Sequence, residues 1–399
     1  MEEGEASRDA RRTLILAWWM GFTMWGLLLA VGPLLPSIQA ELGLSFTSRS
    51  LVLALPFLSL ATAAIPGGYL ADRRGIRGAV GVGSGVAVVG AGLRAVPGPA
   101  YILLVAAVVF GVGLGLVIPN LPKLVSTRFQ QERRGLATGI YSTGLIAGSL
   151  CGVYLTGLLA NSIGSWRVAL ATWAVAGAIA VASWWIFLPR DDPVWMAPAR
   201  GYGRLMHRGD LWVLAFLFAA GNASYFFLVG AYPDYLVSRG VASEAAFGYL
   251  SLLIGVGIPA IFAAPILSDR VGLRRPFLWG PHIAIAALLL TLPLIPGGAL
   301  VLASVGLGFA EMAIFALALL LPVDLFSSEE VGRASGIVIS VAYAGALLGP
   351  VAFGVIMDLT QSFSVALGTF ALLSVASAAA TFTLPETGPR RKALSPPQP

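Results

Sequence analysis

The sequence predicts an all-α membrane protein of twelve transmembrane helices, arranged as two pseudo-symmetric six-helix domains. Three observations predict it. Of 399 residues, 57% are hydrophobic and only 11% charged, where ordinary soluble domains carry about 25% charged residues; the mean hydropathy is +0.85. The charges gather in short clusters between apolar runs long enough to cross a bilayer. The third observation is an internal repeat. Asp72 and Asp269 lie 197 positions apart, and the same offset carries Phe129 to Phe326, Gly135 to Gly332, Gly139 to Gly336, Gly148 to Gly345 and Gly152 to Gly349. One offset shared by several segments indicates a duplicated half.

Twelve spans follow in order, at about 13–38, 48–70, 78–97, 101–127, 135–160, 168–189, 211–236, 245–267, 276–294, 299–322, 332–358 and 364–384. In hydrocarbon each backbone N–H and C=O must be satisfied within its own segment, so these spans are helices. Pro33, Pro36, Pro119, Pro122 and Pro350 are expected to kink them without ending them. Twenty basic side chains fall in one set of loops and tails, against Arg49, Arg94, Arg167 and Arg239 in the opposite set, while Lys123 lies inside the fourth span. The positive-inside rule then places both termini in the cytoplasm, with the chain in the cytoplasmic (inner) membrane. The domains read as 1–190 and 210–387, with a mixed-charge cytoplasmic linker at 191–209 and a disordered tail at 388–399. No cleavable leader is expected, because the first apolar run is itself long enough to span.

Composition excludes several function classes. The formal charge of +6 belongs to loops between spans, so no nucleic acid is expected as partner. A lone Cys151 offers no disulfide framework, and two histidines supply a metal site poorly. Gly81-Val82-Gly83-Ser84-Gly85 lies inside a span and lacks the Lys-Ser/Thr ending of a phosphate-binding loop. No nucleophile–base pair or acidic cluster suggests an enzyme. No cofactor and no metal are expected. The expected partners are a small-molecule substrate, the lipid bilayer and protons, and the expected state is a monomer.

The densest charged stretch is Gly68-Tyr69-Leu70-Ala71-Asp72-Arg73-Arg74-Gly75-Ile76-Arg77, between the second and third spans. It returns between the eighth and ninth as Pro265-Ile266-Leu267-Ser268-Asp269-Arg270-Val271-Gly272-Leu273-Arg274-Arg275. This repeated pattern resembles the signature of the major facilitator superfamily. The resemblance implies the major facilitator fold, secondary transport by two domains rocking about a midplane site, and conformational gating by Gly68, Asp72, Arg73, Gly75, Arg77, Asp269, Arg270, Gly272 and Arg274. Gly78 stands where a second basic residue is usual. A narrower resemblance rests on Val31-Gly32-Pro33-Leu34-Leu35-Pro36, Ser45-Phe46, Ala54-Leu55-Pro56 and Arg128-Phe129-Gln130-Gln131. These are similar to the cyanate and nitroimidazole permease branch, a relative of the nitrate/nitrite porters. Trp25 stands where that branch carries an arginine, and Ala63-Ala64 where nitrate porters carry one.

Within the spans, Gly144, Gly148 and Gly152 recur at four-residue spacing on one helix face, suited to a pivot or to close packing. Lys123 and Asn120 are three apart and share a face. An ammonium facing lipid is expensive, so Lys123 either lines an anion site or snorkels to the cytoplasmic interface. Glu311 sits near the middle of the tenth span with apolar neighbours on both sides. An ionised carboxylate at such depth is costly, which makes Glu311 the candidate for proton coupling or a structural group bonded to a neighbouring helix. Trp25, Tyr141, Thr143, Asn222, Tyr225, Ser340 and Tyr343 complete the candidate substrate-binding set. Thr143 and Ser340 are again 197 apart. The reading is a secondary active transporter of a small solute, an organic or inorganic anion, with proton coupling. Two alternatives stay open: a drug or metabolite exporter, and a receptor that uses the same fold without flux.

Overall fold

The computed structural model describes residues 2–129, 131–189, 202–327 and 330–388. The chain divides into two compact units, Met1–Ala197 and Pro198–Pro399. Most of the expected linker, residues 191–201, and the tail from 389 lie outside the described residues.

The first unit holds α1 (Glu2–Leu29), a 3-10 turn at Gly32–Leu34, α2 (Leu35–Leu42), α3 (Phe46–Leu93), α4 (Ala100–Val117), α5 (Asn120–Arg128), α6 (Gln131–Ile163) and α7 (Trp166–Phe187). The second holds the short α8 (Tyr202–Met206), then α9 (Gly209–Ser238), α10 (Ser243–Gly255), α11 (Gly257–Val271), α12 (Pro276–Thr291), α13 (Leu300–Leu325), α14 (Val331–Thr360) and α15 (Phe363–Thr381).

Among the described residues, eleven helical stretches are long and apolar enough to cross a bilayer. One of them, α3, has 48 residues. At 1.5 Å per residue that is about 72 Å, far beyond the roughly 30 Å of hydrocarbon in a bilayer. It is broken at Gly75, whose φ of 80° and ψ of 158° no helix contains. Counted as two legs, α3 brings the crossing segments to the twelve expected. Where the sequence suggested continuous kinked spans, three are divided, two of them at prolines. Pro33 and Pro36 separate α1 from α2, Pro119 separates α4 from α5, and α10 passes into α11 at Val256. A proline has no N–H to give the carbonyl of the preceding turn, so the ladder opens at those two.

The repeat extends to helix caps. Ser165 accepts a hydrogen bond from the Val168 N–H at the start of α7, and Ser362 does the same for Val365 at the start of α15, both at 3.4 Å. Ser165 and Ser362 are 197 positions apart, so the duplicated halves share local chemistry as well as span order. Large side chains such as Ile65, Leu294, Leu302, Leu359 and Leu372 are strongly exposed, a surface that suits lipid rather than water.

Candidate functional site

In the second unit, α9 and α13 meet around a cavity of about 20 Å³, large enough for a water-sized group. Asn222 and Tyr225 line it from α9, one turn apart, and Glu311 and Met312 line it from α13. Phe218 and Phe315 form an apolar wall, edge to face at 5.4 Å between ring centroids. Glu311 is 2% exposed, and neither of its carboxyl oxygens has a hydrogen-bond partner. The Ser224 hydroxyl lies beside this carboxyl but is not seated in a hydrogen bond with it. Asn222 turns its Nδ2 back to the Phe218 carbonyl at 2.9 Å. The structure therefore brings three of the residues singled out in the sequence, Asn222, Tyr225 and Glu311, to one place. Ser224 was missed: a serine inside a helix usually bonds its own backbone and gives no signal of its own.

In the first unit, Trp18 of α1 donates from Nε1 to the Thr143 hydroxyl of α6 at 3.0 Å and stacks on Phe22. The Trp25 indole N–H is buried with no partner. Trp25 and Asn222 are 197 positions apart, so they hold equivalent places on α1 and α9. Tyr141 is buried at 7% exposure. Ser340 returns its hydroxyl to the Gly336 carbonyl at 2.8 Å, and neither it nor Tyr343 lines the α9–α13 cavity.

Asn120 and Lys123 occupy one face of α5, as their spacing predicted, and that face meets α3. Asn120 is 1% exposed and donates to the Gly67 carbonyl at 3.1 Å and the Leu116 carbonyl at 2.8 Å. Its amide thus bridges the break between α4 and α5 to the neighbouring helix. The Lys123 ammonium forms an ion pair with the Asp72 carboxylate. The sequence left this lysine between an anion site and the cytoplasmic interface; in the structure its ammonium meets a carboxylate of the charged loop.

The two copies of the charged motif are built around glycines at positive φ, Gly75 at 80° and Gly272 at 78°. Only glycine adopts such angles without strain, which explains why the pattern carries it. Around them the closures differ. Arg274 reaches Asp269 at 2.7 Å and Asp324 at 3.2 Å. Arg77, at the equivalent place, donates to the Trp185 carbonyl at 2.5 Å. Arg73 lies over the Tyr69 ring at 4.5 Å, while Arg270 is exposed. Gly68 lies in α3 one position beyond the Gly67 that Asn120 holds. Asp324 and Glu386 were also missed. Glu386 accepts from the Arg274 and Arg275 backbone N–H groups at 2.6 and 3.1 Å, where a carboxylate suits the start of α12.

Known proteins align with this architecture. Residues 13–318 and 260–399 match the sequence profile described as Major Facilitator Superfamily. The chain is 27% identical to the cyanate transport protein of Escherichia coli (strain K12) over 59% of its own length and 61% of that protein's. It is 26% identical to the 2-nitroimidazole transporter of the same organism, over 86% of this chain and 87% of that one. Among solved structures, a bacterial homologue of the human lysosomal transporter Spinster superposes with a TM-score of 0.80 at 16% identity, covering 94% of this chain and 96% of that one.

Proposed function

This chain belongs to the Major Facilitator Superfamily, and from that premise we propose that it is a proton-coupled secondary transporter of a small anion. It works by alternating access, as a monomer in the cytoplasmic membrane with both termini in the cytoplasm. The single observation that carries the coupling is Glu311, buried with both oxygens unpartnered in a cavity it shares with Asn222 and Tyr225. An ionised carboxylate in that setting is costly, so a proton or a ligand must relieve its charge as the site is used. A protonated Glu311 can donate a hydrogen bond to an anion, as can the Tyr225 hydroxyl. Release of the anion would leave the proton without that acceptor, which links the two fluxes. Trp25, with its unpartnered donor, is a separate candidate within the first unit. The anionic class rests on the relative named for cyanate, and the relative named for 2-nitroimidazole adds a weakly acidic heterocycle to test beside it.

Purified protein in liposomes containing a pH-sensitive dye tests this. External cyanate and 2-nitroimidazole, each in turn, are expected to acidify the interior faster than in protein-free liposomes. Acidification at the protein-free rate with both solutes, together with no uptake of either solute in radiolabelled form, would refute the assignment.

A further inference from the structure

We propose that Lys123 is the positioning residue of the Gly68–Arg77 loop, pairing with Asp72 as Arg274 pairs with Asp269 and so making up for the basic residue missing at Gly78. Positions 78 and 275 are 197 apart, and the first is glycine. In the second unit the two arginines divide two tasks. Arg274 pairs with the carboxylates of Asp269 and Asp324. Arg275 holds the C-terminal end of α15, donating to the Phe382 carbonyl at 3.0 Å and to the Leu384 carbonyl.

The first loop has Arg77 at the position of Arg274 and nothing basic at the next. Arg77 donates to the Trp185 carbonyl at the end of α7, and Trp185 lies 197 positions before Phe382. Arg77 therefore performs the task of Arg275. Asp72, the counterpart of Asp269, receives Lys123 from α5 instead. Asn120, one turn earlier on α5, grips the Gly67 carbonyl. The two contacts tie the loop to α5, just past the proline break, whatever solute is carried.

Space exists for the missing side chain. A Cβ at Gly78 would meet only the Arg74 Cβ, at an ordinary 3.5 Å. The test is hydrogen exchange of residues 68–80 in the full-length protein, comparing Lys123→Gln with Lys123→Gln/Gly78→Arg and Lys123→Gln/Gly78→Leu. Loss of a charge-assisted contact is expected to speed local exchange on the order of tenfold. Adding arginine at 78 gives Trp185 its donor, frees Arg77 for Asp72 and returns exchange to the wild-type rate; leucine does not. Unchanged exchange in Lys123→Gln, failure of arginine to restore it, or equal restoration by leucine would overturn the assignment. Should Lys123→Gln not fold, Gly78→Arg alone decides. It should raise the rate of reductive methylation of Lys123, and an unaltered rate contradicts the proposal.

Discussion

Gly148 of α6 lies so close to α1 that a Cβ built on it would stand 2.0 Å from the Phe22 carbonyl oxygen. The second unit repeats the contact: a Cβ on Gly345 of α14 would stand 2.0 Å from the Ala219 carbonyl of α9. Phe22 and Ala219 are themselves 197 positions apart, so the duplication preserves a helix–helix contact atom for atom. Each glycine face thus packs two helices of one unit backbone to backbone.

A methyl group cannot fit there without moving one helix. Gly148→Ala and Gly345→Ala are each expected to cost about 1–3 kcal/mol, the usual range for overpacking. Gly139→Ala, where nothing lies within 4 Å, is expected to be neutral or slightly stabilising, since alanine is the better helix former. Thermal unfolding in detergent measures all three. A Gly148→Ala protein as stable as Gly139→Ala would contradict the packing described.

The two motif glycines are expected to differ. Gly272 has φ 78° and ψ 15°, in the left-handed region, whereas Gly75 has φ 80° and ψ 158°. The first region admits other residues at a cost of about 1–2 kcal/mol; the second is essentially open to glycine alone. Gly272→Asn should therefore be tolerated better than Gly75→Asn, as read by melting temperature. The reverse order would mean that α3 does not break as described.

Arg274 carries more of the second unit's stability than its neighbour Arg270. The Arg274 side chain is 7% exposed and its partner Asp324 is 8% exposed. Removing one member of such a pair costs about 3–5 kcal/mol, whereas an exposed arginine usually changes stability by no more than about 0.5 kcal/mol. Arg274→Gln should lower the unfolding temperature clearly, Arg270→Gln hardly at all. Adding Asp324→Asn to Arg274→Gln should restore part of the loss, because the buried charge is then gone.

The fold was legible in the sequence because lipid leaves few options: runs of apolar residues must be helices, and one constant offset fixes the duplication. The motif glycines stood out through the repeated pattern, and their backbone angles in the structure explain why glycine is needed there. What the sequence did not contain is where helices meet. Lys123 and Asp72 are 51 positions apart, and nothing in either segment specifies the register that joins α5 to α3. Arg49 and Arg94 read as loop residues, yet both are buried, at 2% and 1% exposure. Arg49 bonds to the Gln39 side chain at 2.8 Å, and Arg94 lies over the Phe110 ring at 4.2 Å. Asn222, Tyr225 and Glu311 could each be picked out as polar groups in apolar helices. That they share a cavity depends on the packing of α9 against α13, a property of two helices together.

The central claim is that Glu311 couples solute to proton, and Glu311→Gln tests it most directly. Glutamine keeps the size and the hydrogen-bonding capacity of the protonated acid but cannot titrate. In liposomes with an imposed pH gradient, the wild type is expected to accumulate the transported anion above its external concentration. The Glu311→Gln protein is expected to lose that accumulation, while exchange of internal for external solute without a gradient continues. Accumulation that still follows the pH gradient in the Glu311→Gln protein would contradict the account.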